Sequence, residues 1–228
     1  MEYAVKDGIT GILLAAGSSR RFGADKQSTP IGGIPMLTRA ARLLLDAGFV
    51  KPIVVLGPRA VEHRARLSDL PVRIVENPAA DSGMASSLVM ALDAAQYPDA
   101  LDAAQYPDAL DAAQYPDATD AAGGCDAVVV TVCDQPAVTA AHLRALVAAW
   151  REAGASIVAS SYAGTRGVPA LFAASHFAEL RQLRGDRGAG PLLARHAAMV
   201  HVIPLPGGEI DIDTPADLDH LTDDDFRS

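Results

Sequence analysis

Short runs of apolar and β-branched residues alternate along the chain with longer stretches in which Ala and Leu recur at helical spacing. The apolar runs read ITGILLA, PIVVLG, VRIVEN, DAVVVTV and ASIVAS, and the helical stretches read MLTRAARLLLDAG, SSLVMALDAA and AHLRALVAAWREAG. This alternation is typical of βαβ units. It predicts an α/β fold, a Rossmann-like three-layer sandwich with a mainly parallel sheet and helices on both faces.

Three of the predicted strands are apolar throughout, namely Ile12 to Ala15, Ile53 to Leu56 and Ala127 to Val132. Strands of this kind have both faces covered by helices, so we expect them at the centre of the sheet. Thr139 is predicted to be the N-cap residue of the helix AHLRALVAAWREA, which follows the last of these strands, and Gly154 is predicted to end this helix.

The composition is that of a globular protein, with 228 residues of which 50% are hydrophobic and 21% are charged. Open α/β folds often reach this length, so we expect a single domain over residues 1–228. The formal net charge of −9 argues against a nucleic-acid partner, because binding to phosphate backbones needs a face rich in Lys and Arg. No stretch resembles a signal peptide or a membrane span, and the expected location is the cytoplasm.

A nine-residue repeat, LDAAQYPDA, runs three times without a mismatch from Leu92 to Ala118. Nine residues make about two and a half helical turns, so successive copies would face opposite sides of one helix. The proline in each copy would also interrupt such a helix. We therefore predict that residues 92–120 are a surface loop insertion with short helical turns. A binding or oligomerising role is the alternative.

The first segment with candidate chemistry is LAAGSSRRFGADKQ, residues 14–27, directly after a predicted buried strand. Gly17 permits a tight turn, and the two serines after it add hydroxyl and N–H groups that can hold phosphate oxygens. Arg21 and Lys26 would supply the positive charge that a triphosphate needs. The spacing fits neither the Walker pattern nor GxGxxG. By itself, the segment also fits an ordinary turn between a strand and a helix.

The second segment is VTVCDQP, residues 130–136, in which an apolar strand leads to Asp134. Ligands of open α/β sheets bind beyond the carboxyl ends of the strands. Mg²⁺ prefers one or two carboxylates together with phosphate oxygens, which suits a triphosphate substrate. Asp-Gln-Pro alone also fits a turn or a helix cap. Because the first segment already suggests a triphosphate site, we favour the interpretation that Asp134 binds Mg²⁺.

The third segment is EIDIDTPADL, residues 209–218. Asp211 and Asp213 lie two positions apart on a predicted extended stretch, so they share one side of it. Thr214 and Pro215 suit an N-cap and the first position of a helix. This segment therefore offers two carboxylates for a metal, although one of them could instead cap the helix.

These segments resemble a family of nucleotidyltransferases. The first matches, without a gap, the pattern LAAGxSxRxGxxK of the NTP transferases that include molybdenum cofactor cytidylyltransferase and molybdopterin-guanine-dinucleotide synthase. The second matches the family's Gly-Asp-Gln-Pro, with Cys133 in place of the glycine. The resemblance implies the fold of nucleotide-diphospho-sugar transferases, catalytic roles for Arg21, Lys26 and Asp134, and a second metal-binding acid at Asp211, with Asp213 as the alternative.

Three further segments fit the same family. ENPAADSGMASSL, residues 76–88, resembles a segment near the nucleotide, and a helix start would explain it equally well. GVPALF, residues 167–172, and GDRGAGPLL, residues 185–193, resemble acceptor-side elements, with turns and helix caps as the alternative. The resemblance implies the nucleotide-binding residues Leu14, Ala15, Ala16, Gly17, Ser18, Ser19, Arg21, Lys26, Asn77, Gly83, Ser86 and Asp134.

The function that the resemblance implies is transfer of CMP from CTP to molybdenum-bound molybdopterin, with Mg²⁺ as cofactor and pyrophosphate as product. CTP is preferred because relatives that use GTP tend to read LAGG, and Ala16 leaves less room than glycine beside a base. A molybdenum hydroxylase or its chaperone would then be the protein partner. The alternatives are an enzyme specific for GTP or for a sugar or polyol phosphate, and an NAD(P)H-dependent oxidoreductase of the nicotine-blue type. The absence of GxGxxG after the first strand disfavours the oxidoreductase.

The remaining chemically active residues carry no recognisable motif. The six His residues are dispersed and none adjoins a nucleophile, so we expect them on the surface or in packing roles. Cys125 and Cys133 are expected to be small buried residues rather than a disulfide or a zinc site.

Overall fold

The computed structural model describes residues 8–17, 19, 22–97 and 124–220. Its strands are β1 (Ile9–Ala15), β2 (Pro30–Ile31), β3 (Ile34–Pro35), β4 (Ile53–Leu56), β5 (Arg73–Glu76), β6 (Ala127–Val132), β7 (Ile157–Tyr162), β8 (Thr165–Ala173) and β9 (His201–Pro204). Its α-helices are α1 (Met36–Asp46), α2 (Ala60–Leu67), α3 (Met84–Gln96), α4 (Ala140–Ala153), α5 (Phe177–Arg181) and α6 (Gly190–Arg195).

Seven strands form one sheet in the order β5-β4-β1-β6-β8-β7-β9, and β2 and β3 pair separately. Neighbouring strands are parallel except on the two sides of β8, which runs antiparallel to β6 and to β7. The predicted α/β class with a mainly parallel sheet is therefore confirmed. The alternative that residues 167–172 form a turn is wrong, because they lie within β8, in which residues 170–172 pair with both β6 and β7.

Helices cover both faces of the sheet, and alternation along the central strands supplies an apolar layer to each face. In β1, Leu13 packs with Leu44 of α1 and Leu146 of α4, whereas Ile12 packs on the other face with Leu88 of α3. All of these side chains are fully buried. Burial of one such side chain stabilises a fold by roughly 1.5–3 kcal/mol, so the two layers fix the three-layer arrangement.

Helix α4 is bounded by the two residues that the sequence predicted, Thr139 and Gly154. The Thr139 side chain accepts a hydrogen bond from the backbone N–H of His142 at 3.1 Å, as an N-cap residue does. Gly154 follows the helix with φ 61°, the left-handed conformation that glycine adopts without strain. Both predictions are confirmed.

The first copy of the repeat is in part a helix end. Residues 92–96 form the last turn and more of α3, and Leu92 is fully buried. The predicted helical stretch SSLVMALDAA, which runs to Ala95, is confirmed. The prediction of a surface loop over 92–120 is wrong for positions 92–96, because Leu92, Ala94 and Ala95 complete the apolar face of α3. Tyr97 leaves the helical conformation, as expected of a residue that precedes proline. Residues 98–120 of the predicted insertion lie outside the described part, and the single domain stays a prediction.

Within the described ranges, none of the helices combines the length and the apolar character that crossing a membrane requires.

Candidate active site

Four parallel strands end at the same edge of the sheet, and the loops after them carry most of the predicted site residues. β5, β4, β1 and β6 are neighbours, and each adjacent pair among them is parallel. Ligands of open α/β sheets bind at this edge. The loop after β4 begins at Gly57, where a Cβ atom would overlap the carbonyl oxygen of Ala16 after β1. Only glycine therefore allows the two loops to lie so close together.

Lys26 connects the first segment with the other two. It begins a short 3-10 helix, Lys26–Ser28, and only 8% of the residue is exposed. Its Nζ donates to Oδ2 of Asp134 at 2.8 Å and to Oδ1 of Asp213 at 3.1 Å. Burial alone would lower the pKa of the Lys26 ammonium, but the attraction of these carboxylates raises it above its ordinary value. Lys26 is thus a cation held between two of the three predicted metal ligands.

Asp211 completes an acidic cluster with Asp134 and Asp213. Partial burial, followed by repulsion from these two carboxylates, raises the pKa of Asp211 from 3.8 to about 6, and Lys26 opposes this shift. Between the two aspartates of the third segment, Ile212 is fully buried, and its N–H donates to the carbonyl oxygen of Asp134 at 2.9 Å. This bond fixes the third segment against the second.

The start of the predicted C-terminal helix is confirmed, although the helix is of the 3-10 type, Pro215–His220. Sequence reasoning missed the capping carboxylate, which is Asp217. Its Oδ2 accepts from the N–H of Asp213 at 2.8 Å, and from the N–H and hydroxyl of Thr214 at 2.6 Å and 3.0 Å. An acidic residue three positions after a Thr N-cap is a known capping signal, so the spacing Thr-x-x-Asp could have revealed this role.

Gln27 holds the loop after β1 and was also missed. The side chain is buried, and its Nε2 donates to the carbonyl oxygens of Ala15 at 3.2 Å and Gly17 at 2.9 Å. Its Oε1 accepts from the hydroxyl of Ser19 at 3.2 Å. Gln27 thereby ties both ends of the Gly17 turn to the helix that carries Lys26. In the sequence, only its position next to Lys26 indicated that Gln27 could belong to the site.

Asp25 anchors the same short helix to α2. Its carboxylate accepts from the N–H of Ser28 at 3.4 Å and lies 3.0 Å from Nε2 of the buried His63. Burial alone would raise the pKa of Asp25, but the bonds to Ser28 and His63 lower it below its ordinary value. This contact orients the backbone immediately before Lys26.

The predicted base-binding residues form a network of their own. Asn77 is 1% exposed, donates to the hydroxyls of Ser86 at 2.8 Å and Ser87 at 2.9 Å, and accepts from the N–H of Ala79 at 2.9 Å. Gly83 precedes α3 with φ 111°, and a Cβ atom there would overlap the backbone of Gly185. The structure therefore brings residues 76–88 against residues 185–193. Contact of Asn77, Gly83 and Ser86 with a nucleotide stays a prediction.

Two predicted residues of the first segment, Ser18 and Arg21, lie outside the described residues, and their roles stay predictions. Cys125 and Cys133 are both free and half-buried. Burial, together with repulsion from Asp134, raises the pKa of the Cys133 thiol to about 12, so this thiol stays protonated near neutral pH. Its position beside the acidic cluster therefore does not make it a nucleophile.

The histidines follow the prediction only in part. His63, His142 and His176 are buried, and His201 is exposed. His196 is half-buried and lies against Glu179 and His176 rather than alone. The dispersed sequence positions gave no sign of this pairing.

The carboxylates of Asp134, Asp211 and Asp213 are chemically suited to a hard divalent cation, because Mg²⁺ and similar ions prefer oxygen ligands. The mutual repulsion that helps to raise the pKa of Asp211 would be relieved by such an ion. The donor set thus fits a metal that also binds phosphate oxygens.

Comparison with known proteins agrees with this geometry. The chain matches the family described as MobA-like NTP transferase domain over residues 11–200. It is 28% identical to the purine catabolism protein PucB of Bacillus subtilis over 92% of this chain and 94% of that protein. It is 29% identical to a probable molybdenum cofactor guanylyltransferase of Chloroflexus aggregans, over 80% of this chain and 72% of the relative.

A nicotine blue oxidoreductase of Paenarthrobacter nicotinovorans is 40% identical over 90 residues, which span 39% of this chain and 44% of that protein. Among solved structures, Rv0371c of Mycobacterium tuberculosis H37Rv has a TM-score of 0.70 at 28% identity, over 92% of this chain and 95% of that one. A manganese complex of Rv0371c has a TM-score of 0.69 at 25% identity, over 94% and 100% of the two chains. The chain therefore belongs to the MobA-like NTP transferase domain family and is a nucleotidyltransferase.

Proposed function

We propose that the protein transfers CMP from CTP to a phosphorylated acceptor, molybdenum-bound molybdopterin, and releases pyrophosphate. The observation that carries this proposal is the position of Lys26 between Asp134 and Asp213, beside Asp211 and at the carboxyl edge of the sheet. Phosphoryl transfer needs mainly alignment and charge stabilisation from the protein, and this arrangement provides both without a nucleophile.

The loop after β1 and Lys26 bind the triphosphate. An ammonium group has three N–H donors, and Asp134 and Asp213 take two of them among the described residues. The third can donate to a phosphate oxygen. The turn at Gly17, held by Gln27, presents backbone N–H groups, and Arg21 adds a second positive charge. These groups stabilise the negative charge that develops on the departing pyrophosphate.

Asp134 and Asp211 hold the divalent cation, which we propose to be Mg²⁺. Of the two aspartates in the third segment we choose Asp211, because Lys26 donates to Asp213 at 3.1 Å and, among the described contacts, not to Asp211. When bound, the ion supplies Lewis-acid neutralisation of phosphate charge. The manganese complex of a protein with a similar fold supports a divalent ion in this family.

The choice of base and acceptor rests on Ala16 and on one of the relatives. Ala16 is buried, and its methyl group occupies space that the glycine of LAGG in GTP-using relatives leaves free beside a base. This favours CTP over GTP. A relative described as a probable molybdenum cofactor guanylyltransferase supports a molybdopterin acceptor, although its name indicates GTP. A molybdenum hydroxylase or its chaperone would receive the product.

The test is pyrophosphate release by the full chain with Mg²⁺, with CTP or GTP, and with molybdenum-bound molybdopterin or a sugar phosphate. We expect release only with CTP and molybdopterin together. Asp134→Asn should lower turnover at least about hundredfold, the scale of losing one electrostatic group of an active site. The exposed Asp46, changed to Asn, is the matched control and should keep full activity.

Each outcome separates one part of the proposal from the others. Release with GTP alone would show that the base is assigned wrongly, and release with a sugar phosphate alone would do the same for the acceptor. An Asp134→Asn variant with full activity and an unchanged circular dichroism spectrum would overturn the site itself.

The match to nicotine blue oxidoreductase supports a second candidate, reduction by NADPH. Thermal melting with CTP, GTP or NADPH, each with and without Mg²⁺, distinguishes the two, because a ligand of the native state raises the melting temperature. We expect a Mg²⁺-dependent rise with CTP and no rise with NADPH.

A further inference from the structure

A second cluster of metal-ligating side chains lies at the opposite edge of the sheet from the candidate active site. β8 runs antiparallel to β6, with Ala173 opposite Ala127, so β8 ends where β6 begins. His176 follows directly in a 3-10 helix, Ala174–His176, and Glu179 lies in α5. His196 caps the end of α6. Ligand atoms of His176, Glu179 and His196 all lie within 4.8 Å of one another.

One ligand atom of this cluster is buried without a hydrogen bond. His176 is 7% exposed, and its Nδ1 makes no hydrogen bond with any of the described residues, although it lies 3.8 Å from Oε1 of Glu179. The other ring nitrogen, Nε2, lies 2.9 Å from the hydroxyl of Ser156. A metal-bound histidine usually donates its second ring N–H to an oxygen in this way, which leaves the facing nitrogen with a free lone pair. Without a metal, burial of Nδ1 without a hydrogen bond from the described residues is unfavourable.

The spacing of the ligand atoms suits a tetrahedral ion. Nε2 of His196 lies 2.9 Å from Oε1 of Glu179, and Nδ1 of His176 lies 3.8 Å from the same oxygen. Zinc bonds of about 2.0–2.1 Å place tetrahedral ligand atoms roughly 3.3 Å apart, between these two values. Arg195 also contacts Glu179 at 2.7 Å, but 62% of its side chain is exposed, so it can turn into solvent.

We propose that His176, Glu179 and His196 form a site for a transition-metal ion of the Zn²⁺ class, with water as the fourth ligand. Two imidazoles and one carboxylate are typical zinc ligands, whereas Mg²⁺ prefers oxygen ligands alone. The ion joins α5 to the end of α6. It thereby holds together the two ends of the loop between α5 and α6. This loop contains Gly185, whose backbone packs on Gly83 before α3. This inference does not depend on the proposed acceptor or base.

The test measures zinc binding in the full chain after one carboxylate of the acidic cluster at the candidate active site has been removed. Asp134→Asn serves as the parent, so that zinc at the active site does not mask the second site. After removal of metals with a chelator, calorimetric titration with zinc chloride should show a single site, and zinc should raise the melting temperature. Changing His196 to Gln in this parent should weaken zinc binding by at least about tenfold and abolish the rise. Glutamine keeps a hydrogen-bond donor for Glu179.

Two further variants keep the proposal falsifiable. Glu179→Gln should have the same effect as His196→Gln, and it covers the case in which one of them fails to fold, judged by circular dichroism. His201→Gln changes an exposed histidine of β9 and should leave zinc binding unchanged. A parent that binds no zinc, or folded Glu179 and His196 variants that bind it as tightly as the parent, would overturn the site.

Discussion

Nζ of Lys26 lies 2.8 Å from Oδ2 of Asp134, although 108 positions separate the two residues along the chain. The same nitrogen reaches Asp213, which is 187 positions away. The exposed fractions of the three side chains are 10%, 27% and 47% in the order Lys26, Asp134, Asp213. The ammonium therefore compensates negative charge that would otherwise be concentrated at the edge of the sheet.

Replacement of Lys26 by Gln should destabilise the metal-free protein by about 2 kcal/mol, because it removes charged hydrogen bonds to Asp134 and Asp213. Mg²⁺ should restore more stability to this variant than to the wild type, since the carboxylates lack their cation. Urea unfolding with EDTA or with Mg²⁺ measures both effects. Lys51→Gln, at an exposed lysine, is the control. A Lys26→Gln protein as stable as the wild type in EDTA would contradict the contact.

Gln27→Glu should destabilise the protein by at least about 2 kcal/mol at pH 8. The change is nearly isosteric, but it places a buried carboxylate against the carbonyl oxygens of Ala15 and Gly17 and removes their donor. Lower pH should reduce the loss, because a protonated Glu can donate again. Urea unfolding at pH 8 and pH 5 checks this, with the exposed Gln182→Glu as control. Equal losses at the two pH values would count against the proposed contacts.

Asp93→Asn should cost about 3 kcal/mol, because it removes the partner of a largely buried arginine. Nε of Arg181 lies 3.0 Å from Oδ1 of Asp93, and Arg181 also donates to Gln96. Both of these contacts are with residues of the first copy of the repeat, Asp93 and Gln96. The equivalent changes Asp102→Asn and Asp111→Asn, in identical nine-residue surroundings, are the matched controls, and we expect them to stay within about 0.5 kcal/mol of the wild type because neither removes the Asp93 carboxylate.

Chemical denaturation of these three single variants makes the comparison. Equal losses for Asp93, Asp102 and Asp111 would mean that the copies are energetically equivalent. An unchanged Asp93→Asn variant would mean that another copy can replace the first. Either result would contradict a specific role of Asp93 in holding Arg181.

Asp211→Asn should stabilise the metal-free protein near neutral pH and have no effect in acid. The pKa of Asp211 is raised to about 6 in the folded protein from an ordinary value of 3.8. A raised pKa favours folding below about pH 4, and this contribution is lost as pH rises through about 6. Since much of Asp211 is still exposed and its charge is screened by solvent, we expect a gain of no more than about 1 kcal/mol at pH 7.5.

Urea unfolding of this variant in EDTA between pH 4 and pH 7.5 follows the titration, with Asp46→Asn as an exposed control. A gain that is constant over this pH range, or that grows toward pH 4, would show that the neighbouring carboxylates do not act on Asp211 as described.

The order of strands and helices could be predicted from the sequence because it depends on local patterns. Strands β4 and β6 begin and end at the residues that the apolar runs predicted, and Thr139 and Gly154 bound α4 as expected. These features depend on side-chain periodicity, capping and backbone conformation within a few residues. The three acidic or basic segments could be recognised for the same reason, since each is a contiguous motif at the end of an element.

The tertiary structure alone decided which of these groups meet. The sequence separation of Lys26 from Asp134 and Asp213 does not reveal how close their side chains are in space. Their contact results from the parallel pairing of β1 with β6 and from the hydrogen bond that anchors Ile212 to Asp134. The pairing of His176 with Glu179 and His196 likewise depends on how α5 and α6 pack. The repeat makes the same point. Residues 92–96 of its first copy are buried as the end of α3, because burial is set by the surface that a segment meets rather than by its own residues alone.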